Sequence, residues 1–236
     1  MGVSKEQGRS YGVKDFLAKK FDTLAFDGKF EQAFGRPEKN FRMLIWGNPK
    51  NGKTEFCMQL AKYLTQHGTV YYNSFEQGLS ETLQQCIQRN NMLDVSGEIS
   101  FGDRTPLEVM IAKLKNRGSA KFVIIDSRDY MELSQEQYKM LVDLFPNKSF
   151  VIICWERNKH PRGEHAKAIQ YMVDIAVWVK DFVAYPRSRF GGNAPYIIWD
   201  KGVKPVEVMP ELAPQTAEAE QLNFFDALET ETLITN

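Results

Sequence analysis

One eight-residue segment constrains this chain more than any other: Gly47-Asn-Pro-Lys-Asn-Gly-Lys-Thr54, which fits the pattern GxxxxGK[ST]. An apolar run, Phe41 to Trp46, leads into it. The stretch Thr54 to Gln66 follows, with Phe56, Leu60, Ala61 and Leu64 spaced for one helical face. A buried strand therefore enters a glycine-bracketed turn that opens a helix. Glycines at the two ends let several backbone N–H groups face one phosphate, and the helix N-terminus adds partial positive charge. The lysine reaches the β- and γ-phosphates, and the threonine hydroxyl is placed to bind Mg²⁺. The pattern arises by accident in roughly one chain in a hundred of this length. The strand and helix that flank it make accident a poorer account still. Nucleotide and Mg²⁺ are thus expected on Gly47, Asn48, Pro49, Lys50, Asn51, Gly52, Lys53, Thr54 and Glu55.

The rest of the chain fits this core. Residues 11–22 predict a short amphipathic helix. Val70 to Ser74, Phe122 to Ile125 and Phe150 to Trp155 predict strands that are apolar on both faces. Between them, 79–89, the stretch opened by the capping box Thr105-Pro-Leu-Glu108, and the stretch capped at Ser134 predict helices. Alternation of this kind specifies an α/β fold with a mainly parallel sheet covered by helices. The last predicted strands, 175–179, 183–185 and 196–199, follow without helices between them, so antiparallel strands are expected at one edge. Asp126 ends the Phe122 strand about 70 residues after the phosphate loop, where a carboxylate would hold the shell of a Mg²⁺.

Charge and composition exclude other classes. The net charge is zero, yet from Glu207 onward there are seven acidic residues and no Lys or Arg, leaving 30 basic against 23 acidic residues elsewhere. A mildly basic body with an acidic tail permits nucleic-acid binding without demonstrating it. The three cysteines form no CxxC pair and read as buried thiols. No apolar run approaches the ~18 residues of a membrane helix, and MGVSKEQGRS lacks a secretory apolar stretch, so a cytoplasmic chain without a membrane partner is expected.

Further segments carry a family resemblance over roughly residues 23–200. Gly68-Thr-Val-Tyr-Tyr-Asn-Ser-Phe-Glu76-Gln77 resembles the second strand of RecA-type ATPases and of bacterial RadA/Sms, where the terminal glutamate polarises the attacking water. FVIIDS (122–127) is similar to the family's Walker B strand, and Tyr171-Met-Val-Asp174 to its HMVD segment. Arg187-Ser-Arg189-Phe-Gly191 resembles the KNRFG motif of RadA. The resemblance implies a RecA-like P-loop ATPase core in which Lys53, Glu76 and Asp126 are catalytic, with Thr54 and Asp126 toward Mg²⁺. It further implies that Arg187 and Arg189 reach the γ-phosphate of a neighbour in a ring or filament. The zinc ribbon and protease-like domain of RadA have no counterpart here. The polar sensor that ends the family's fourth strand falls near Cys154-Trp155-Glu156, where Trp155 cannot meet a γ-phosphate as His or Gln would. Either Glu156 takes that position or the sensing step is altered.

Two segments suggest partners. Arg157, Lys159, Arg162 and Lys167 lie in a stretch that follows the sensor strand, where RecA-type proteins contact DNA, and Gly163 would give it flexibility to order on single-stranded DNA. In the tail, Gln221, Leu222, Phe224 and Phe225 form QLNFF, similar to the peptide by which bacterial proteins dock on the replicative sliding clamp. The expected organisation is a helical extension (1–22), a RecA-like domain (23–209) and an acidic linker and tail (210–236). The expected function is ATP hydrolysis by a RecA/RadA-like protein acting on DNA in recombination, repair or replication. A P-loop small-molecule phosphotransferase and a non-hydrolysing ATP-binding recruitment module stay open beside it. A labelled peptide spanning 216–230 is expected to bind a bacterial sliding clamp by fluorescence polarisation; no binding removes the clamp from the reading.

Overall fold

The computed structural model describes residues 10–202. The tail motif at Gln221–Phe225 and the division at residue 210 lie outside them. Among the described residues the strands are β1 (Arg42–Gly47), β2 (Val70–Ser74), β3 (Ile99–Asp103), β4 (Phe122–Asp126), β5 (Ser149–Arg157), β6 (His160–Pro161), β7 (Ile175–Lys180), β8 (Val183–Ser188) and β9 (Tyr196–Ile197). The helices are α1 (Val13–Leu17), α2 (Gly28–Phe34), α3 (Lys53–Leu64), α4 (Glu81–Arg89), α5 (Leu107–Leu114), α6 (Arg128–Met131), α7 (Gln135–Leu144) and α8 (Glu164–Met172).

The sheet runs β3-β2-β4-β5-β1-β7-β8-β9, and β6 hairpins back onto β5. From β3 through β7 every pairing is parallel; β7-β8 and β8-β9 are antiparallel. The central strands are buried on both faces, as their apolar runs require: β1, β2 and β4 have no exposed residue. Parallel pairing brings the carboxyl ends of β1, β2, β4 and β5 to one rim, where Ser74 pairs with Asp126 and Gly47 with Trp155. Ligands of open α/β sheets sit at such a rim.

Several elements differ from expectation. The predicted helix over 11–22 shrinks to five residues, α1, with none buried. Val13 and Leu17 are exposed, and an apolar face without a packing partner among the described residues leaves so short a helix unsupported. Thr105 makes no cap. It is buried, its hydroxyl accepts from Tyr71, and its backbone exchanges hydrogen bonds with the Asn73 side chain. Tyr71 and Asn73, two apart on β2, share the face that holds it. The cap at Ser134 does form, with Gln137 completing the box. β3 is an edge strand too short to announce itself by alternation. The cationic stretch after β5 is not a loose loop but a tight β5-β6 hairpin followed directly by α8, which buries Ala166 and Ile169. Cys57, Cys86 and Cys154 are buried free thiols, and burial pushes all three pKa values up. Among the described residues no helix is long and apolar enough to cross a membrane.

α3 buries Phe56, Cys57, Met58, Leu60, Ala61, Tyr63 and Leu64, so it is clamped to the sheet over its whole length. Phe56 is fully buried, with its ring near those of Phe34 and Tyr196. Phe56→Ala is expected to cost about 3–5 kcal/mol by urea denaturation; a loss below about 1 kcal/mol would mean that this face is not core.

Candidate functional site

The phosphate loop is a strained turn held from outside. Lys50 and Gly52 both adopt positive φ, and Gly52 opens α3. A Cβ on Gly47 would lie 2.2 Å from the Val179 carbonyl oxygen, so the first glycine is required by the close approach of β7. A Cβ on Gly52 would meet the Phe182 ring at 2.9 Å, and the Phe182 N–H donates to the Asn51 carbonyl at 3.2 Å. The β7-β8 turn thus braces the loop from the antiparallel edge.

Inside this cradle Lys53 Nζ donates to the carbonyls of Gly47 (2.8 Å) and Asn48 (3.0 Å). Burial lowers the lysine's pKa, opposed by the charges of Glu76 and Asp126. The Thr54 hydroxyl lies 3.4 Å from Asp126 Oδ2, which also accepts from the buried Tyr72 hydroxyl. A hydroxyl and a carboxylate side by side are the hard oxygen donors Mg²⁺ selects. Asp126 is only 4% exposed, and burial raises its pKa to about 6 even though Tyr72 pulls it down. A carboxylate kept so costly as a bare anion suits a cation beside it. Lys53, placed in reach of a triphosphate, and the Thr54–Asp126 pair therefore fit Mg-nucleotide.

Glu76 follows β2 and is pinned to the same rim, its N–H donating to the Asp126 carbonyl at 2.8 Å. Its Oε2 accepts from the Ser127 hydroxyl (3.0 Å) and from the Trp155 indole N–H (3.4 Å). The structure thus brings Lys53, Thr54, Glu76 and Asp126 together.

Other expected site residues stand elsewhere. The Glu55 side chain turns from the phosphate nest to α4, where it accepts from Cys86, Arg89 and Asn90. A carboxylate facing the phosphates would repel them, so only its place in the loop belongs to the site. Glu156 is engaged by Asn48 (3.3 Å), Lys159 N–H (3.1 Å) and the Trp178 indole (2.9 Å), tying the phosphate loop to the β5-β6 hairpin. Arg157, Lys159 and Arg162 are exposed on or beside that hairpin, and Lys167 lies in α8. Register sets Arg187 opposite Ala176, near the start of β7, at the end of the sheet away from Gly47. Arg189 pairs with Asp174 at 3.1 Å there. Neither arginine serves the phosphate loop of its own chain. Sequence reasoning missed Trp46, Trp178 and the donor role of Trp155, although tryptophans in strands that end at a phosphate loop are a usable signal for buried N–H donors.

The pKa of Asp126 has a direct consequence. With its folded pKa raised from near 4 to about 6, this group's contribution to stability is complete below about pH 4 and is lost as pH rises through about 6, roughly 3 kcal/mol in all. A cation that binds the ionised form reverses the loss. The gain in Tm on adding Mg-ATP is expected to be larger at pH 7.5 than at pH 5.5, and Asp126→Asn should erase that difference. Equal gains at both pH values would remove Asp126 as a cation ligand.

No protein-family model and no curated protein matches the chain. Solved structures do. The flagellar accessory protein FlaH from Methanocaldococcus jannaschii superposes with a TM-score of 0.52 at 15% identity, over 72% of this chain and 88% of that one. The ATPase domain of a helicase gives 0.47 at 13% identity, over 66% and 80%. With its mainly parallel sheet, flanking helices and antiparallel edge, the chain has the RecA-like P-loop NTPase fold.

Proposed function

We propose that the chain binds Mg-ATP in the nest Gly47–Thr54, hydrolyses it to ADP and phosphate, and acts on DNA in recombination, repair or replication. The observation that carries this reading is the meeting of four groups at one rim: Lys53, the Thr54–Asp126 pair at 3.4 Å, and Glu76 bonded to the Asp126 backbone. Lys53 would leave the carbonyls of Gly47 and Asn48 for the β- and γ-phosphates. Thr54 and Asp126 would hold Mg²⁺, which offsets charge on the β- and γ-oxygens when bound. Glu76 would accept a hydrogen bond from water and orient it toward the γ-phosphorus. Water oxygen bonds to phosphorus as the bridging P–O bond breaks, and ADP departs with that electron pair.

The exposed Arg157, Lys159 and Arg162, with Lys167, would take the phosphates of single-stranded DNA. Their cationic chemistry, and the hairpin's tie to the phosphate loop through Glu156, support this part. Arg187 and Arg189, away from the chain's own loop, would complete the site of a second copy in a ring or filament.

The test is ATP turnover with and without an oligo-dT strand. Parent chain is expected to turn over ATP faster with the strand. Lys53→Ala should abolish turnover and weaken nucleotide binding, and Glu76→Gln should cut kcat at least ~100-fold with nucleotide still bound. Joint replacement of Arg157, Lys159 and Arg162 by Ala should flatten the slope of log affinity against log salt by about 2. Turnover that needs a small-molecule acceptor would replace this reading with a phosphotransferase. Tight ATP binding without turnover, even with DNA, would replace it with a recruitment module.

A further inference from the structure

The polar sensor of related folds has its place here at the end of β5, and this chain puts Trp155 there. We infer that Trp155 is a positioning residue for Glu76, and that Arg162 clamps its indole, so that the β5-β6 hairpin acts on the hydrolytic glutamate through a single ring. The inference rests on the ATPase reading above.

Three observations carry it. The first is the set of donors on Glu76. Ser127 Oγ and Trp155 Nε1 both address Oε2, at 3.0 and 3.4 Å, which leaves Oε1 for the O–H of an attacking water. An oxygen with two donors cannot rotate freely, so the second oxygen is aimed. The indole contact is longer than an ordinary N–H···O bond, as bonds around a reacting centre often are before substrate draws them in.

The second is that the indole is fixed from several sides. Its backbone N–H donates to Asp129 Oδ2 at 2.7 Å, and Asp129 is in turn paired with the buried Arg128 at 3.1 Å. Tyr130 meets the ring edge-on at 5.3 Å. α6, which directly follows the Asp126 strand, therefore holds the end of β5, and the ring cannot swing without breaking that brace.

The third is Arg162. Its guanidinium lies 4.9 Å from the Trp155 ring centroid, while its N–H donates to the Trp155 carbonyl at 2.8 Å. A cation over an indole face draws electron density from the ring and strengthens N–H as a donor. Arg162 is also exposed, beyond the hairpin. A phosphate that draws the guanidinium outward would loosen the indole and, through it, Glu76. Trp155 is only partly exposed, so its ring is not spare surface: it fills the space between the hairpin and the glutamate.

Two substitutions separate donor from bulk. Trp155→Phe keeps an aromatic ring without N–H; Trp155→His keeps a ring N–H. In ATP turnover by the full chain, Trp155→Phe is expected to lower kcat roughly tenfold with KM for ATP within about twofold, and Trp155→His to recover part of the loss. Parent-like kcat in Trp155→Phe, or equal losses in both variants, would overturn the inference. A second readout needs no turnover. Glu76→Ala should shift the tryptophan emission of the parent chain and leave that of the Trp155→Phe background unchanged; the same shift in both backgrounds would also overturn it. Absence of ATP turnover in the parent chain would instead remove the ATPase reading, and the emission comparison would still decide whether Trp155 holds Glu76.

Discussion

The carboxylate of Asp126 sits where the protein can least tolerate a bare anion, 4% exposed and flanked by two parallel strands. Much of the site is compensation for that position. The Tyr72 hydroxyl, fully buried on the neighbouring strand, turns inward to it, and the Thr54 hydroxyl meets it from the first turn of α3. Lys53 adds charge from the loop. These partners do not restore the ordinary pKa, and the remaining deficit is what a divalent cation would relieve. The same residue places Glu76, because its carbonyl accepts the Glu76 N–H. One strand end thus fixes the side chain that faces a cation and the glutamate that faces water.

Around this centre stands a ring of indoles. Trp46 donates to the Lys159 carbonyl, Trp178 to Glu156 and Trp155 to Glu76. Each ring fills apolar volume beside the sheet and delivers one N–H at a defined spot. Through these bonds β1, β7 and the β5-β6 hairpin are held to the phosphate loop and to the glutamate. The cationic hairpin is therefore an extension of the nucleotide site, not a surface loop that happens to be basic. Trp155 reads as a defect when a γ-phosphate sensor is sought. It reads as a device once its donor is seen to point at Glu76.

The far end of the sheet has different work. Asp174 accepts from the Arg42 N–H at the start of β1 and pairs with Arg189. This arrangement anchors the strand that carries the phosphate loop and leaves Arg187 exposed at the opposite end from that loop.

What could be read along the chain was local. The glycine spacing of 47–54, the both-face apolar runs of β1, β2, β4 and β5, and the cap at Ser134 each depend on neighbours within a few residues, and each formed as expected. So did the antiparallel edge, because strands joined by short connections can pair only that way. What tertiary structure decided was every contact made across long sequence separation. Thr105 left its expected cap because Tyr71 and Asn73, more than thirty positions earlier, offered it buried partners. Glu55 turned from the phosphates toward Arg89 and Asn90. Trp155 acquired a role only when β2 and β5 were brought to the same rim, with the two partners 79 residues apart in sequence. Spacing along a chain encodes strand, turn and helix; which distant donor satisfies which buried acceptor is settled by the order in which the strands line up.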